Sequence, residues 1–385
     1  MEKVVLLKCT DYDVSNIEKK LREGFELLGG TSFLRTLIPE NSKVLLKPNF
    51  LSVIEKGSPI ITHYALFEAV VRIVKEYSNN IVFGDSPGSG DTREAAEKSG
   101  LMEVASRYGV RFVDFNEVVH VELSNPLMYK FWNIAKAAYE ADVVITLPKL
   151  KTHAMMYYTG AVKNQFGCIP GSQKAAWHTK LPDAVNFSKM LLDLNSVVKT
   201  SFAILDGIIA MEGNGPRNGT PKKMDTIIMG KCLTAVDSTA VRLIGYNDVL
   251  AIPLLKVAYD EKWGAVIPKE IEVLGEKIED MKCKNFKLSR NAKVINFISP
   301  SLNNFITFLT APNPVLIEEK CIGCKKCAEV CPEKSKVISF VKHESKVIPK
   351  WNYNNCIRCF CCQELCPQGA IIIKDKPLSK MLGLK

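Results

Sequence analysis

Residues 321–332 read CIGCKKCAEVCP and residues 356–367 read CIRCFCCQELCP, and these two stretches decide how the chain divides. Each sets four cysteines at the spacing C-x2-C-x2-C-x3-C with a proline directly after the last. The first set is Cys321, Cys324, Cys327 and Cys331 before Pro332; the second is Cys356, Cys359, Cys362 and Cys366 before Pro367. Of the 13 cysteines in 385 residues, nine fall between positions 321 and 366. So uneven a distribution implies a large Cys-poor body and a small Cys-dense appendix. The first apolar run, residues 4–7, is too short for a signal-peptide core and no run of 18 apolar residues follows. A cytoplasmic, reducing setting without a membrane span is therefore expected, in which clustered thiols mean metal or catalysis rather than disulfides.

Three thiolates three residues apart in a loop wrap three corners of an iron–sulfur cube. The fourth starts a helix leading away, where proline turns the chain. In the two-cluster arrangement each fourth cysteine ligates the other cluster. One 4Fe–4S cluster would use Cys321, Cys324, Cys327 and Cys366, and the other Cys356, Cys359, Cys362 and Cys331. A pair of zinc knuckles is the alternative, but zinc sites rarely carry a third cysteine at the same short spacing. The segment resembles the bacterial two-cluster ferredoxin domain over about 55 residues, with Gln368-Gly369-Ala370-Ile371 matching its second half. All-Cys ligation implies low potentials, around −400 mV in order of magnitude. Cys361 falls off the ligand positions and reads as a packing thiol.

The first 280 or so residues alternate differently. Residues 4–8, 43–47, 80–84, 110–115, 142–147, 202–206, 225–229 and 271–274 are short apolar runs rich in Val, Ile and Phe. Helical patterns at 14–28, 62–77, 91–99, 133–139, 183–198, 237–244 and 253–263 lie between them, with Asp13, Thr62, Asp91 and Asp183 as N-cap candidates. Such alternation predicts an α/β fold, a largely parallel sheet with flanking helices, joined to a small α+β two-cluster ferredoxin-like domain. The expected limits are 1–284 for the α/β domain, 285–314 for a linker or docking segment, 315–376 for the ferredoxin-like domain and 377–385 for a tail. The stretch 294–317 carries no charge, but prolines at 300, 312 and 314 break it, so it reads as a packed linker.

Three polar stretches of the large domain follow strands. Gly84-Asp85-Ser86-Pro87-Gly88-Ser89-Gly90 suits a backbone nest for an anion, although it lacks the Lys and Ser/Thr of a P-loop. Leu147 to His153 carries Lys149, Lys151 and His153 at a strand's carboxyl end, where open α/β sheets bind ligands. Lys163, Cys168 and His178 follow, and two of the five histidines thus fall within 32 Lys- and Gly-rich residues. Lysines and imidazoles together suit holding or protonating an anion. The loop 206–219, with three glycines in residues 213–219 and Arg217 among them, reads as a lid or anion contact. Cys168 reads as a buried inert thiol rather than a nucleophile.

Lys47-Pro48-Asn49, Thr62-His63, the 84–90 turn, Leu147 to His153, Gly160 to Gly167 and the 206–219 loop, in this order, resemble the iron–sulfur proteins bearing domain of unknown function 362. The resemblance implies the architecture rather than a reaction. A second, partial similarity is to the catalytic domain of the nickel-pincer lactate racemase. There a strand and His precede a Gly-rich turn with Lys ten positions on, then Pro-Gly and another His; here these are His153, Lys163, Pro170-Gly171 and His178. Ala161-Val162 replaces the glycine pair of that family.

These readings converge on an iron–sulfur redox protein whose clusters serve a pocket that reduces a small anionic substrate or cofactor. His153, Lys163 and His178 are the candidate catalytic residues. Lys47, Asn49, Asp85, Ser86, Gly88, Lys149, Lys151 and Arg217 are the candidate anion-binding residues. Alternatives are a non-catalytic electron-transfer subunit whose large domain docks an oxidoreductase, and a metal-dependent isomerase-like site. A redox partner protein is expected, and a homo-oligomer is compatible. The formal charge of +10 invites a nucleic-acid reading, but no basic–aromatic interleaving or helix-turn-helix pattern supports one. Bound iron–sulfur clusters are themselves net anionic, so part of the basicity compensates for them.

Overall fold

Parity along the first strand sets the layers. In β1 (Glu2–Lys8), Val5 and Leu7 join one hydrophobic cluster while Val4 and Leu6 join another, as a period-2 element buried on both faces must. The same split recurs in β2 (Val44–Lys47), β3 (Ile81–Phe83) and β7 (Val143–Thr146), whose apolar runs are continuous for this reason. Helices Val14–Leu28, Tyr64–Val74 and Leu101–Tyr108 cover one face; Ala184–Val198, Leu233–Leu243 and Pro253–Asp260 cover the other. This computed structural model describes residues 1–181, 183–289, 312–331, 333, 336–343, 346–374 and 376. Pro332, the uncharged stretch 294–311 and the tail 377–385 lie outside the described residues.

The remaining strands are β4 (Arg111–Phe112), β5 (Val118–Glu122), β6 (Phe131–Ala135), β8 (Lys149–His153), β9 (Tyr157–Thr159), β10 (Phe202–Glu212), β11 (Thr220–Gly230) and β12 (Ile271–Gly275). The main sheet runs β12-β1-β11-β10-β7-β2-β3-β4, with β8 on β10 and β9 on β8. It is mostly parallel; β11 is antiparallel to both neighbours, and β9 is antiparallel to β8. The carboxyl ends of β2, β3 and β7 therefore lie side by side, and the loops after them form one rim.

Several expectations shift. Residues 133–139 divide into the end of β6 and a four-residue helix, because β6 pairs with β5 in a separate hairpin. The stretch expected as a loop after β7 is the buried strand β8, bonded in parallel to β10. Asp13, Asp91 and Asp183 cap their helices, but the cap of Tyr64–Val74 is His63. The Thr62 hydroxyl instead accepts from Asn49 N and donates to Leu147 O, tying the β2 loop to the β7 loop.

The small domain contains β13 (Asn313–Leu316) antiparallel to β16 (Ile371–Lys374), and a hairpin of β14 (Ile338–His343) and β15 (Lys346–Trp351). Short helices Lys326–Glu329 and Cys361–Glu364 each begin inside a cysteine motif. Residues 214–218 clamp this domain to the body. The Asn214 side chain donates to Ile373 O (2.8 Å) and accepts from Ile373 N (3.2 Å), as a neighbouring strand would. Asn218 Nδ2 donates to Ile371 O (2.5 Å), Arg217 to Pro367 O (2.8 Å), and Gln363 Nε2 to Asn214 O (3.3 Å). A Cβ on Gly88 would lie 2.6 Å from the end of the Leu365 side chain, which shows how closely the 84–90 turn meets the small domain.

Candidate functional site

Two buried ion pairs build the rim. Lys47 Nζ lies 2.8 Å from Asp85 Oδ1, and Asp85 Oδ2 accepts from Phe50 N, also at 2.8 Å. Lys149 Nζ lies 2.8 Å from Asp206 and donates to the Tyr12 hydroxyl. Both lysines are thus committed to aspartates and neither lines the cavity. Arg217 faces the small domain instead. The expected nest in the 84–90 turn is likewise occupied from within: Ser86 N donates to Gly167 O and Gly88 N to Leu51 O. A Cβ on Gly167 would collide with the Asp85 carboxylate, so this approach requires glycine.

What remains is a cavity of about 50 Å³ lined by Asn49, Asp85, Ser86, Gly88, Lys151 and His153, with Thr159, Lys163, Phe166, Lys174 and Glu364 completing the wall. Period 2 along β8 presents Lys149, Lys151 and His153 from the same side, and Lys151 and His153 reach the cavity. Lys151 Nζ donates to Asn49 Oδ1 (2.6 Å) and Ile60 O (2.8 Å); burial, aided by Lys163, lowers its pKa to about 7. Lys174 donates to Ser86 O, and burial takes its pKa to about 8.

Lys163 stands at the end of the helix Ala161–Asn164, whose first amides, Ala161 N and Val162 N, donate to Asp237 at 2.6 and 3.0 Å. Burial raises the Asp237 carboxyl to about 7 against those bonds. Lys163 is 7% exposed and has no hydrogen-bond partner among the described residues. Its Nζ lies 5.6 Å from the Phe166 ring centre and 6.0 Å from that of Phe187, and burial lowers its pKa.

His153 Nδ1 accepts from Met155 N and Met156 N, both at 3.2 Å, which puts the ring proton on Nε2 in the neutral form. That Nε2 lies 3.5 Å from Glu364 Oε2 and has no hydrogen-bond partner. His178 stacks on Phe187 at 4.7 Å, and its Nε2 is 3.7 Å from the same oxygen. Burial lowers both imidazoles to a pKa of about 4, so both are neutral at pH 7. Burial would raise Glu364, but Lys163 and the two imidazoles hold it well below the usual carboxylate range.

Glu364, Lys174, Thr159 and Asp237 were not legible as site residues. Glu364 lies between two cysteines of the second motif, and only its crossing into the large domain gives it a place in the cavity. Three lysines and a neutral N–H converge on little free volume, beside the carboxylates of Asp85 and Glu364.

Six of the eight cysteines of the two motifs, Cys321, Cys327, Cys331, Cys356, Cys362 and Cys366, pack in or against one core. Cys321, Cys324, Cys327 and Cys366 line one cavity, so the fourth cysteine of the second motif joins three of the first. Ala370 N donates to Cys366 Sγ at 3.3 Å. Burial raises the Cys362 pKa well above the ordinary value, with Cys359 and Cys356 close enough to add to it, and Cys331 packs in the same core. The donor set is all thiol and fits iron–sulfur ligation. Cys361 is fully buried beside Cys359, and the hydrogen bond between them together with burial holds its thiol pKa well above the ordinary range.

Residues 320–370 match the 4Fe–4S dicluster domain, which supports iron–sulfur electron transfer. The thylakoid-associated protein sll1697 of Synechocystis sp. is 35% identical over 238 residues, covering 62% of this chain and 73% of that protein. Two solved structures are similar at low level. The lactate racemase apoprotein of Thermoanaerobacterium thermosaccharolyticum is 17% identical, with a TM-score of 0.36 over 54% of this chain and 51% of that one. A Thermotoga maritima protein is 12% identical, with a TM-score of 0.36 over 56% and 55%. The chain thus spans about half the length of each of these two structures. Among the described residues no helix is long and apolar enough to cross a membrane. Residues 44–242, more than half of the chain, match the domain of unknown function DUF362, and the chain belongs to that family.

Proposed function

We propose that this is an iron–sulfur redox protein that reduces a small anionic substrate or cofactor in the Lys163–His153 cavity. Cys321, Cys324, Cys327 and Cys366 would hold one 4Fe–4S cluster, and Cys356, Cys359, Cys362 and Cys331 a second. When bound, such clusters supply single electrons at low potential. One observation carries the reading: Glu364, two residues from both Cys362 and Cys366, reaches the cavity. The cysteine motif and the anion site are therefore one contiguous assembly.

The chain's residues divide the remaining work. Lys163 Nζ and His153 Nε2–H bind the oxyanion. A two-electron reduction draws two protons, and Lys151 Nζ and Lys174 Nζ, with pKa values of about 7 and 8, suit their delivery near neutrality. The imidazoles, expected from sequence to be the proton donors, are better suited to holding the anion, because neutral imidazole gives up its N–H proton only with great difficulty. Phe166 and Phe187 keep water from Lys163. Cys324 is exposed beside Ile322, which gives a redox partner protein an edge to approach. The metal-dependent isomerase reading needs a lone pair at His153 Nε2, and the Met155 and Met156 amides favour the opposite tautomer.

The test uses anaerobically reconstituted, dithionite-reduced holoprotein and a panel of small carboxylates and oxyanions, with cluster reoxidation followed by absorbance. Lys163→Ala and His153→Ala are expected to slow reoxidation by the active anion at least tenfold. Equal rates in wild type and variants, or reoxidation only by a protein acceptor, would refute the reading.

A further inference from the structure

The two cysteine motifs are repeats, and each carries a glutamate two residues after its third cysteine: Glu329 after Cys327, and Glu364 after Cys362. Glu329 is an ordinary surface residue, its side chain 61% exposed and paired with Lys326 at 3.0 Å. Glu364 is 12% exposed and aimed into the other domain's cavity.

Its fit there is incomplete. Oε2 stands 3.5 Å from His153 Nε2 and 3.7 Å from His178 Nε2, beyond the 2.7–3.2 Å of a formed N–H···O bond. No ion pair within 4 Å joins it to Lys163 among the described residues. Buried polar atoms around it, His153 Nε2, Thr159 Oγ1 and His178 Nδ1, have no hydrogen-bond partner. Glu364 supplies the cavity with negative charge but does not satisfy its donors. A free ligand, not constrained by a backbone, can approach His153, Thr159 and Lys163 together, since all three line the cavity.

We propose that Glu364 is a built-in competitor: its carboxylate occupies the carboxylate subsite formed by Lys163, His153 and His178, and a small carboxylate ligand enters by taking that position from it. This rests on the anion-binding reading above and names the ligand class. A tethered group acts at an effective concentration in the mM range or above, so external carboxylates bind wild type weakly unless they also use Lys151, Lys174 or Ser86. The competitor belongs to the domain that carries the cysteines, so occupancy of the cavity and the seating of the helix Cys361–Glu364 are thermodynamically linked.

The test is calorimetric titration of acetate, at constant ionic strength and pH 7, into reconstituted full-length protein with iron content verified. Glu364→Ala is expected to bind acetate at least tenfold more tightly than wild type, Glu364→Gln to gain at least threefold, and Glu329→Gln to match wild type. Adding Lys163→Ala to Glu364→Ala is expected to abolish the gain. Unchanged or weaker binding by Glu364→Ala overturns the proposal. If that variant loses iron, Glu364→Gln decides, and no gain overturns it. Lys163→Ala alone separates the two claims. If it weakens acetate binding while Glu364→Gln gains nothing, the anion site stands without a competitor. If no variant binds acetate and Lys163→Ala leaves reoxidation unchanged, both fall.

Discussion

Asp85→Asn removes the carboxylate of the ion pair on which the rim of the cavity rests. Asparagine keeps an oxygen for Phe50 N, now 2.8 Å from Asp85 Oδ2, so the loop 48–50 retains that bond. What is lost is the counter-charge of Lys47, whose side chain has no exposure. Leaving one charge of a buried pair unmatched costs about 3–5 kcal/mol. Lys47 has an escape, which sets a ceiling: it can fold without its proton. Deprotonating a lysine of ordinary pKa about 10.4 at pH 7 costs about 4.6 kcal/mol, or about 1.4 kcal/mol per pH unit. In the variant the unfolded chain then binds one proton more than the folded one, so stability rises with pH. The deficit against wild type is expected near 3–4.6 kcal/mol at pH 7 and about 2 kcal/mol at pH 9. Urea titrations of anaerobic holoprotein at pH 7, 8 and 9, read by tryptophan fluorescence from the large domain, measure it. A deficit below about 1 kcal/mol at pH 7, or one that does not shrink with pH, would refute the reasoning. Adding Lys47→Met should recover most of the loss, since the unmatched charge is then gone.

Burial lowers the pKa of Lys151 to about 7, so below pH 7 the folded protein bears the cost of a buried ammonium. Lys151→Met should therefore stabilise the protein by about 1–3 kcal/mol at pH 6, with the gain shrinking above pH 7 and lost only near pH 10.5, while anion binding falls at least tenfold. Cys366→Ser should remove one cluster's signal from the electron paramagnetic resonance spectrum of reduced protein, whereas Cys361→Ser should retain the full iron content. Asn214→Ala leaves both polar groups of Ile373 unmatched at the domain contact, at about 1–3 kcal/mol. Faster hydrogen exchange along β16, with the β2–β3–β7 core unchanged, is the expected readout.

Some features were legible because they are local. Cysteine spacing needs no tertiary information: the loop that wraps a cube is contained in twelve residues. The continuous apolar runs at β2, β3 and β7 likewise carry the layered sheet, since a strand buried on both faces has no polar side to alternate. Other features were hidden. Lys47, Lys149 and Lys151 look equivalent in sequence, each on or beside an apolar run. Two are neutralised by aspartates far along the chain, Asp85 and Asp206, and only Lys151 reaches the cavity. The hairpin of β5 and β6 was hidden as well, because Asn133 to Tyr139 also suits a helix and only pairing across the intervening turn decides for strand.

The glutamates of the two cysteine motifs draw the division most clearly. Sequence by itself determined that each motif carries a glutamate two residues after its third cysteine. The structure places both at the ends of short helices that precede the fourth cysteine rather than start there. Tertiary structure alone decided that Glu329 meets water and Lys326, while Glu364 meets His153, His178 and Lys163. The physical reason is that each motif has the same local geometry, a four-residue helix entered through a left-handed residue, but the two helices end in different surroundings. The clamp at Asn214, Arg217 and Asn218 turns one of them toward the large domain's cations, where a carboxylate acquires a role that no local pattern encodes.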